Sequence, residues 1–415
     1  MTESLLAFAA LLGLLALQVP IAFAMGLVGF VGFGLMIGWN PALAMVTTVT
    51  YETGLNYGLS VVPLFVLMGN FVARAGLSDD LYAASNAFLG HRRGGLAMAT
   101  IVACGGFSAV CGSSLATGAI AAGGTLGILI PPSVILVIYG IMTESDIGKL
   151  FIAGVVPGLL GVLLYLAAVQ FSVLRRPQSG PPAERIPWRG RLAALRGVWG
   201  VVALFALVIG GIYGGVFTPT EAAGIGAAGA FFFALLRRRL GWQALFEVLM
   251  ASVRTTAMIF LVLIGALIFS NYVNIAGLPG ELGDWIGGLD LHPMLVVLAM
   301  MLIYVVLGCV LESLSMILLT VPVFYPLVLG LDFGPAIDPE MVLIWFGIVV
   351  VVITEISLIT PPVGLNVFVL KGVVRDVSLG TIFRGVTPFW VVDILRLLLL
   401  LFVPAIALWL PGLMG

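Results

Sequence analysis

The chain has 415 residues, of which 61% are hydrophobic and 9% charged, and its formal net charge is −1. A soluble globular protein carries roughly 25% charged residues to wet its surface, so a water-facing globule is excluded, and the near-zero charge leaves no electrostatic case for nucleic acid. Apolar stretches of about 20 residues, enough to cross about 30 Å of hydrocarbon as helix, recur without the ten-residue alternation of barrel strands, which leaves an all-α polytopic bundle in a lipid bilayer.

Met1-Thr2-Glu3 lacks the basic region of a cleavable signal peptide, so the first apolar run is expected as a retained span. Spans are predicted near residues 4–18, 20–38 and 60–73. A basic cluster follows, Arg74 with His91, Arg92 and Arg93, and then apolar sequence from 95 to 141. Beyond the acidic connection at 143–146, a span near 150–174 reaches an Arg/Pro-rich linker at 175–197. There Pro177, Pro181, Pro182 and Pro187 argue against helix. Further spans are expected near 198–216, 221–236 and 248–273. Cys104, Cys111 and Cys309 lie in apolar helices and read as small packing residues. Neither His91 nor His292 has a second ligand nearby, so no metal centre is expected from them.

The positive-inside rule orients this path. The basic segments, which also include Arg237-Arg238-Arg239 and the stretch from Lys371 to Arg384, belong to the cytoplasm. The basic-poor, acidic connections at 143–146, 281–290 and 332–340 belong outside, and both termini end there.

The two halves are related. Ala75-Gly76-Leu77 recurs as Ala276-Gly277-Leu278, an offset of 201. At nearly that offset Gly112-Ser113-Ser114 meets Glu312-Ser313-Leu314-Ser315. Further on, Pro131-Pro132 meets Pro361-Pro362 at an offset of 230. By the charge count the first repeat enters its polar patch from the cytoplasm and the second from outside. Inverted repeats of this kind are a signature of secondary transporters. The expected division is therefore a first repeat at 1–174, the linker, and a second repeat at 198–415.

Each repeat carries an interrupted segment. In the second, 293–330 reads as a re-entrant hairpin with its tip at 312–315, and 341–371 as a helix broken at Thr360-Pro361-Pro362-Val363-Gly364. Tandem prolines remove two N–H donors and force the preceding residue out of the α region. Irregular backbone at membrane depth is tolerated only where protein or a cavity shields it. Carbonyls with Ser/Thr hydroxyls suit a hard cation such as Na⁺, and helix N-termini suit a carboxylate. A single break reads equally well as a kink; two related breaks, each with a polar tip, favour a site. Glu312 and Glu355 are ionisable residues within apolar segments and thus functional candidates, with pairing to a neighbouring helix the alternative for Glu355. Asp393 and Arg396, three apart, read as a local pair near a helix end.

Several motifs resemble the large membrane subunit of TRAP transporters, the DctM-like permeases. They are Gly-Gly-Phe-Ser at 105–108, Gly-Ser-Ser-Leu-Ala-Thr at 112–117, the run ending Ile-Pro-Pro-Ser at 121–133, Phe-Thr-Pro-Thr-Glu-Ala at 217–222, Leu-Glu-Ser at 311–313 and Ile-Thr-Pro-Pro-Val-Gly-Leu-Asn at 359–366. The resemblance covers nearly the whole chain. It implies a sodium-driven, elevator-type importer of organic acids such as C4-dicarboxylates or sialic acid in the bacterial inner membrane. It also implies a small membrane subunit (DctQ-like) and a periplasmic binding protein (DctP-like), with Na⁺ as coupling ion and no other cofactor. Carried onto this chain, it implies sodium sites involving Gly112, Ser114, Thr125 and Gly127 in the first half and Glu312, Ser313, Thr360 and Gly364 in the second. Substrate would lie between, near Ser113, Ser114, Thr117, Ser133, Ser313, Ser315, Pro362 and Asn366.

The jump in offset from 201 to 230 means that the first repeat lacks about 29 residues between Thr117 and Pro131. The return arm of the first hairpin, expected from the resemblance, is missing from 95–131. The expectation is that 95–117 continues through 118–141 as one outward span, giving a transport-impaired subunit as the alternative function.

Overall fold

The computed structural model describes residues 2–108, 119–175, 177, 181–289, 291–334, 337–373 and 377–414. In chain order its α-helices are α1 (Thr2–Ala16), α2 (Ile21–Ile37), α3 (Trp39–Leu55), α4 (Val61–Ala75), α5 (Leu77–Leu89), α6 (Gly95–Ser108), α7 (Ala119–Leu129), α8 (Val134–Met142) and α9 (Ile147–Arg175). After the linker come α10 (Trp188–Tyr213), α11 (Pro219–Leu236), α12 (Trp242–Ile275), α13 (Leu278–Gly287), α14 (Pro293–Leu307), α15 (Ser313–Leu329), α16 (Val342–Ser357), α17 (Leu365–Val373), α18 (Leu379–Phe402) and α19 (Ala405–Leu408). Among the described residues, seven helical segments are long and apolar enough to cross a membrane: α9 to α12, α18, and α4 and α16 with the 3-10 turn preceding each. The chain is a multi-pass membrane protein.

The linker is shorter than expected. Pro187 does not end a non-helical stretch at 197; it stands as the N-cap of α10, which starts at Trp188. Proline is well tolerated at a helix start, where its missing N–H has no intrahelical partner to lose. The loop before α6 is tied back to α10, for His91 Nδ1 stands 3.2 Å from Arg191 Nη2. Burial and then the positive neighbours Arg191, Arg185 and Arg92 hold His91 below its ordinary pKa.

Helix directions follow from paired close approaches. α2 and α12 run side by side in the same direction, with Gly26 at Gly265, Gly29 at Phe269 and Gly32 at Tyr272. Small residues let backbones approach closely where lipid supplies no hydrophobic drive between helices. A Cβ on Gly265 would lie 2.2 Å from the Ala22 carbonyl oxygen. Gly265→Leu is therefore expected to cost about 1–3 kcal/mol through overpacking, read as a lower melting temperature in detergent. The control Gly280→Ala, with nothing within 4 Å of the new Cβ, should stay within ~0.5 kcal/mol. α4 and α11 also run in the same direction, with Leu64 beside Gly224, Met68 beside Gly226 and the Ala75 carbonyl beside Arg237.

The two Ala-Gly-Leu motifs do the same local work. Gly76 (φ 70°) closes α4 and Gly277 (φ 75°) follows α12, and each opens a shorter helix, α5 and α13. A left-handed residue at this position satisfies the last carbonyls of a helix and strongly favours glycine.

The structure overturns the single span expected over 95–141. α6 and α7 pack side by side. Just before α6, Gly94 lies against Val173 and Val169, and on α6 Gly105 lies against Val162. On α7 and just beyond it, Leu126, Ile130 and Leu129 lie against Gly161, Gly158 and Gly154. Both helices therefore run antiparallel to α9 and parallel to each other. Side-by-side packing sets both helices on α9, Gly105 of α6 against Val162 and the α9 glycines under Leu126, Leu129 and Ile130, which one extended helix could not do.

Candidate functional site

The candidate site lies where the α14–α15 hairpin meets the interrupted helix α16–α17. Every residue of α16 except Leu343 is buried, so the interruption falls inside protein, as the cost of bare backbone in lipid demands. α16 stops at Ser357, the Pro361-Pro362 peptide is cis, and α17 resumes at Leu365 after Gly364 (φ 54°). The Asn366 N–H donates to the Leu358 carbonyl (3.1 Å) across the break. The Thr360 hydroxyl donates to the Ile356 carbonyl (2.6 Å) and accepts from Trp390 Nε1 (2.9 Å). Thr360 and Gly364 are buried, Asn366 is half-buried and Pro362 is exposed.

The hairpin turns at 308–312, and along its arms the Tyr304 and Thr320 hydroxyls meet at 2.5 Å. Glu312 is exposed and caps α15. Its carboxylate accepts from the N–H groups of Leu314 (2.9 Å) and Ser315 (2.7 Å) and from the Ser315 hydroxyl (2.5 Å). A carboxylate here also suits the positive end of the helix dipole. Ser313 and Ser315 are buried. Gly308 presses on the end of α16, where a Cβ would come within 2.2 Å of Ser357 Oγ. The second-half residues Glu312, Ser313, Ser315, Thr360, Pro362, Gly364 and Asn366 are thus gathered on one hairpin tip and one adjoining break.

In the first half, Gly112, Ser113, Ser114 and Thr117 lie outside the described residues. Thr125 and Gly127 are buried on α7. Ser133 caps α8: its hydroxyl accepts from Leu136 N–H (3.3 Å) and donates to the Ile128 carbonyl. The Pro131-Pro132 peptide between α7 and α8 is also cis. The two interrupted helices pack antiparallel: the Leu129 backbone at the end of α7 meets Glu355 near the end of α16, while the Tyr139 hydroxyl of α8 donates to the Leu343 carbonyl (2.7 Å) near the start of α16, with Gly347 under the Tyr139 ring.

One group of charges was only partly legible. Asp393 and Arg396 do form a local pair (3.1 Å), yet both are buried rather than at a solvated helix end, and Arg396 Nη2 reaches Glu355 Oε2 on α16 at 2.5 Å. The reason is that the chain continues past α18 into α19, which packs on α9 and α16 and closes that end of the bundle. The Tyr165 hydroxyl of α9 donates to Asp393 Oδ2.

Comparison with known proteins agrees with this architecture. The family model of the DctM component of the tripartite ATP-independent periplasmic transporter matches residues 8–121 and 114–406. The C4-dicarboxylate TRAP transporter large permease protein DctM of Pseudomonas aeruginosa is 36% identical over 390 residues, 88% of each chain. The sialic acid TRAP transporter large permease protein SiaM of Vibrio cholerae is 31% identical over 97% of each chain. Among solved structures, the Alcanivorax borkumensis YdaH transporter shares the fold, with a TM-score of 0.62 at 16% identity over 96% of this chain and 97% of that one. With the family model covering most of its length, this chain belongs to the DctM family of TRAP transporter large permeases, and is a transporter component rather than an enzyme.

Proposed function

We propose that the chain is the large permease of a sodium-coupled importer of an organic acid, either a C4-dicarboxylate or another carboxylate such as sialic acid. The observation that carries this reading is the α14–α15 tip seated on the α16–α17 break. It brings the Glu312-capped N-terminus of α15, the buried Ser313, Ser315 and Thr360 hydroxyls and the irregular backbone after Ser357 together. Such a set offers oxygen ligands to a hard cation and helix N-termini to a carboxylate. In this reading the protein sits in the bacterial inner membrane with both termini in the periplasm. A small membrane subunit partners it and a periplasmic binding protein delivers substrate. The antiparallel packing of the interrupted helices and the paired Ala-Gly-Leu motifs support two inverted repeats, and an elevator movement of the hairpins with their broken helices is the transport step.

A second reading, the transport-impaired subunit, is favoured by a separate observation. The family match divides at 114–121, within the segment where the first repeat runs about 29 residues short. Proteoliposomes holding the chain, its small subunit and its binding protein separate the two. The first reading expects uptake of a radiolabelled carboxylate that collapses when external sodium is replaced by choline. Absence of uptake, regained on inserting about 29 residues after Thr117, would place the chain in the second.

A further inference from the structure

The Glu355–Asp393–Arg396 group has no part in either reading, and it does not balance. One guanidinium faces two carboxyl groups, and the three side chains are 0%, 1% and 0% exposed for Glu355, Asp393 and Arg396. Both carboxyl groups approach the same nitrogen, Nη2, so they stand within a few ångströms of each other. Glu355 Oε1 and Asp393 Oδ1 lack a hydrogen-bond partner, as do Nε and Nη1 of the arginine. Nη1 points at α9, where a Cβ on Gly161 would lie 2.3 Å from it.

The surroundings supply no second cation among the described residues. α7 carries no ionisable side chain, α9 contributes Tyr165, and α16 contributes only Glu355. α18 contributes Asp393 and Arg396, with Arg384 three turns earlier. Tyr165 stands edge-on to Phe389 at 5.2 Å, so the group is walled by apolar rings and aliphatic chains. Two carboxylates this close, sealed from water, cannot both stay ionised against a single positive charge. The buried group neutralises instead by binding a proton.

We propose that the Glu355–Asp393 pair holds one proton at neutral pH, seated on Glu355, so that this cluster is a proton-binding site made of residues other than those named for sodium and substrate. Asp393 is the better-stabilised anion, since it accepts from Tyr165 on one oxygen and faces Arg396, its neighbour on α18, with the other. Glu355 has no hydroxyl partner: its Oε2 faces the shared guanidinium, its Oε1, like Asp393 Oδ1, lacks a side-chain hydrogen bond, and the Leu129 backbone lies alongside. The proton comes from water and converts one carboxylate to a carboxylic acid. The three side chains bridge α16 and α18 with Tyr165 of α9 and present almost no surface to solvent, so release of the proton requires those helices to part or water to enter. The inference does not depend on sodium coupling.

Infrared difference spectroscopy of the purified full chain in lipid nanodiscs, between neutral and alkaline pH, tests it. The surface carboxyl groups are already ionised over that range and stay silent. The expected result is one protonated-carboxyl band, lost as pH rises. It shifts when glutamate carboxyls carry heavy carbon, is unmoved by labelled aspartate, and is missing in Glu355→Gln. No protonated carboxyl at neutral pH, or a band that follows aspartate labelling, would overturn the proposal. Labelling of the unmodified chain gives the answer even if the variant fails to fold.

Discussion

Arg396→Met should destabilise the folded protein by about 3–5 kcal/mol, because it removes one partner of a buried ion pair and leaves a carboxylate uncompensated. The side chain is fully buried, so no water is at hand to screen the loss. Methionine matches the stem in length and keeps the packing against α9, which confines the change to charge. The measurement is the melting temperature of the purified protein in detergent. Glu355→Gln gives the contrast. If Glu355 is already neutral, glutamine keeps the shape and costs only about 1 kcal/mol, the worth of one hydrogen bond. Arg396→Met/Asp393→Leu then removes both remaining charges and should recover more than half of the single-variant loss, since apolar replacement of a whole buried ion pair is often neutral. A melting temperature unchanged in Arg396→Met would mean that Arg396 is neither buried nor paired as the geometry has it.

Much of the fold was legible because lipid imposes simple rules. Low charge, long apolar runs and the sidedness of arginine led to the long spans, and α9, α11 and α12 lie where those runs predicted. The tandem prolines led to both interruptions, since a proline pair cannot be hidden inside a helix. The amphipathic pieces were not legible. α3 carries Thr47, Thr48, Thr50, Glu52 and Thr53 in its second half, and no apolar window picks it out; its place is set by packing on α2 and α12. α5 and α13 are short helices that only the left-handed glycines Gly76 and Gly277 announce. Within the candidate site, Glu312 and Thr360 were visible as polar residues in apolar runs. Their engagement, one as the cap of α15 and the other under Trp390, depends on tertiary contacts that spacing does not encode. The same holds for Glu355. Its partner Arg396 is 41 residues away on another helix, and nothing in the sequence names it. The parallel course of α6 and α7 was missed for a related reason, since a hydropathy run records length but not reversal.

Sodium-dependent uptake should be lost in Gly308→Ala and partly regained in Gly308→Ala/Ser357→Gly. A Cβ at 308 would meet Ser357 Oγ at 2.2 Å and Cβ at 2.3 Å, with the backbone carbon at 3.1 Å. The first two contacts cannot be relieved by a rotamer, because Ser357 Cβ is fixed to the last residue of α16 and its hydroxyl is held by the Thr354 carbonyl at 2.7 Å. The hairpin tip must therefore lift from the break, and overpacking of this kind costs about 1–3 kcal/mol. Within the proposed site the lift separates Glu312, Ser313 and Ser315 from Thr360 and Gly364. A shift of about 1 Å in a preorganised ligand set can cost on the order of 10²-fold in rate. Ser357→Gly removes both clashing atoms and leaves only the 3.1 Å approach, at a helix-propensity cost of about 1 kcal/mol. The double variant should thus transport better than Gly308→Ala although it is made of two individually unfavourable changes. Equal loss in the single and double variants would show that the contact between tip and break does not control transport. Full uptake in Gly308→Ala alone would show that the hairpin does not stay on α16 during the cycle.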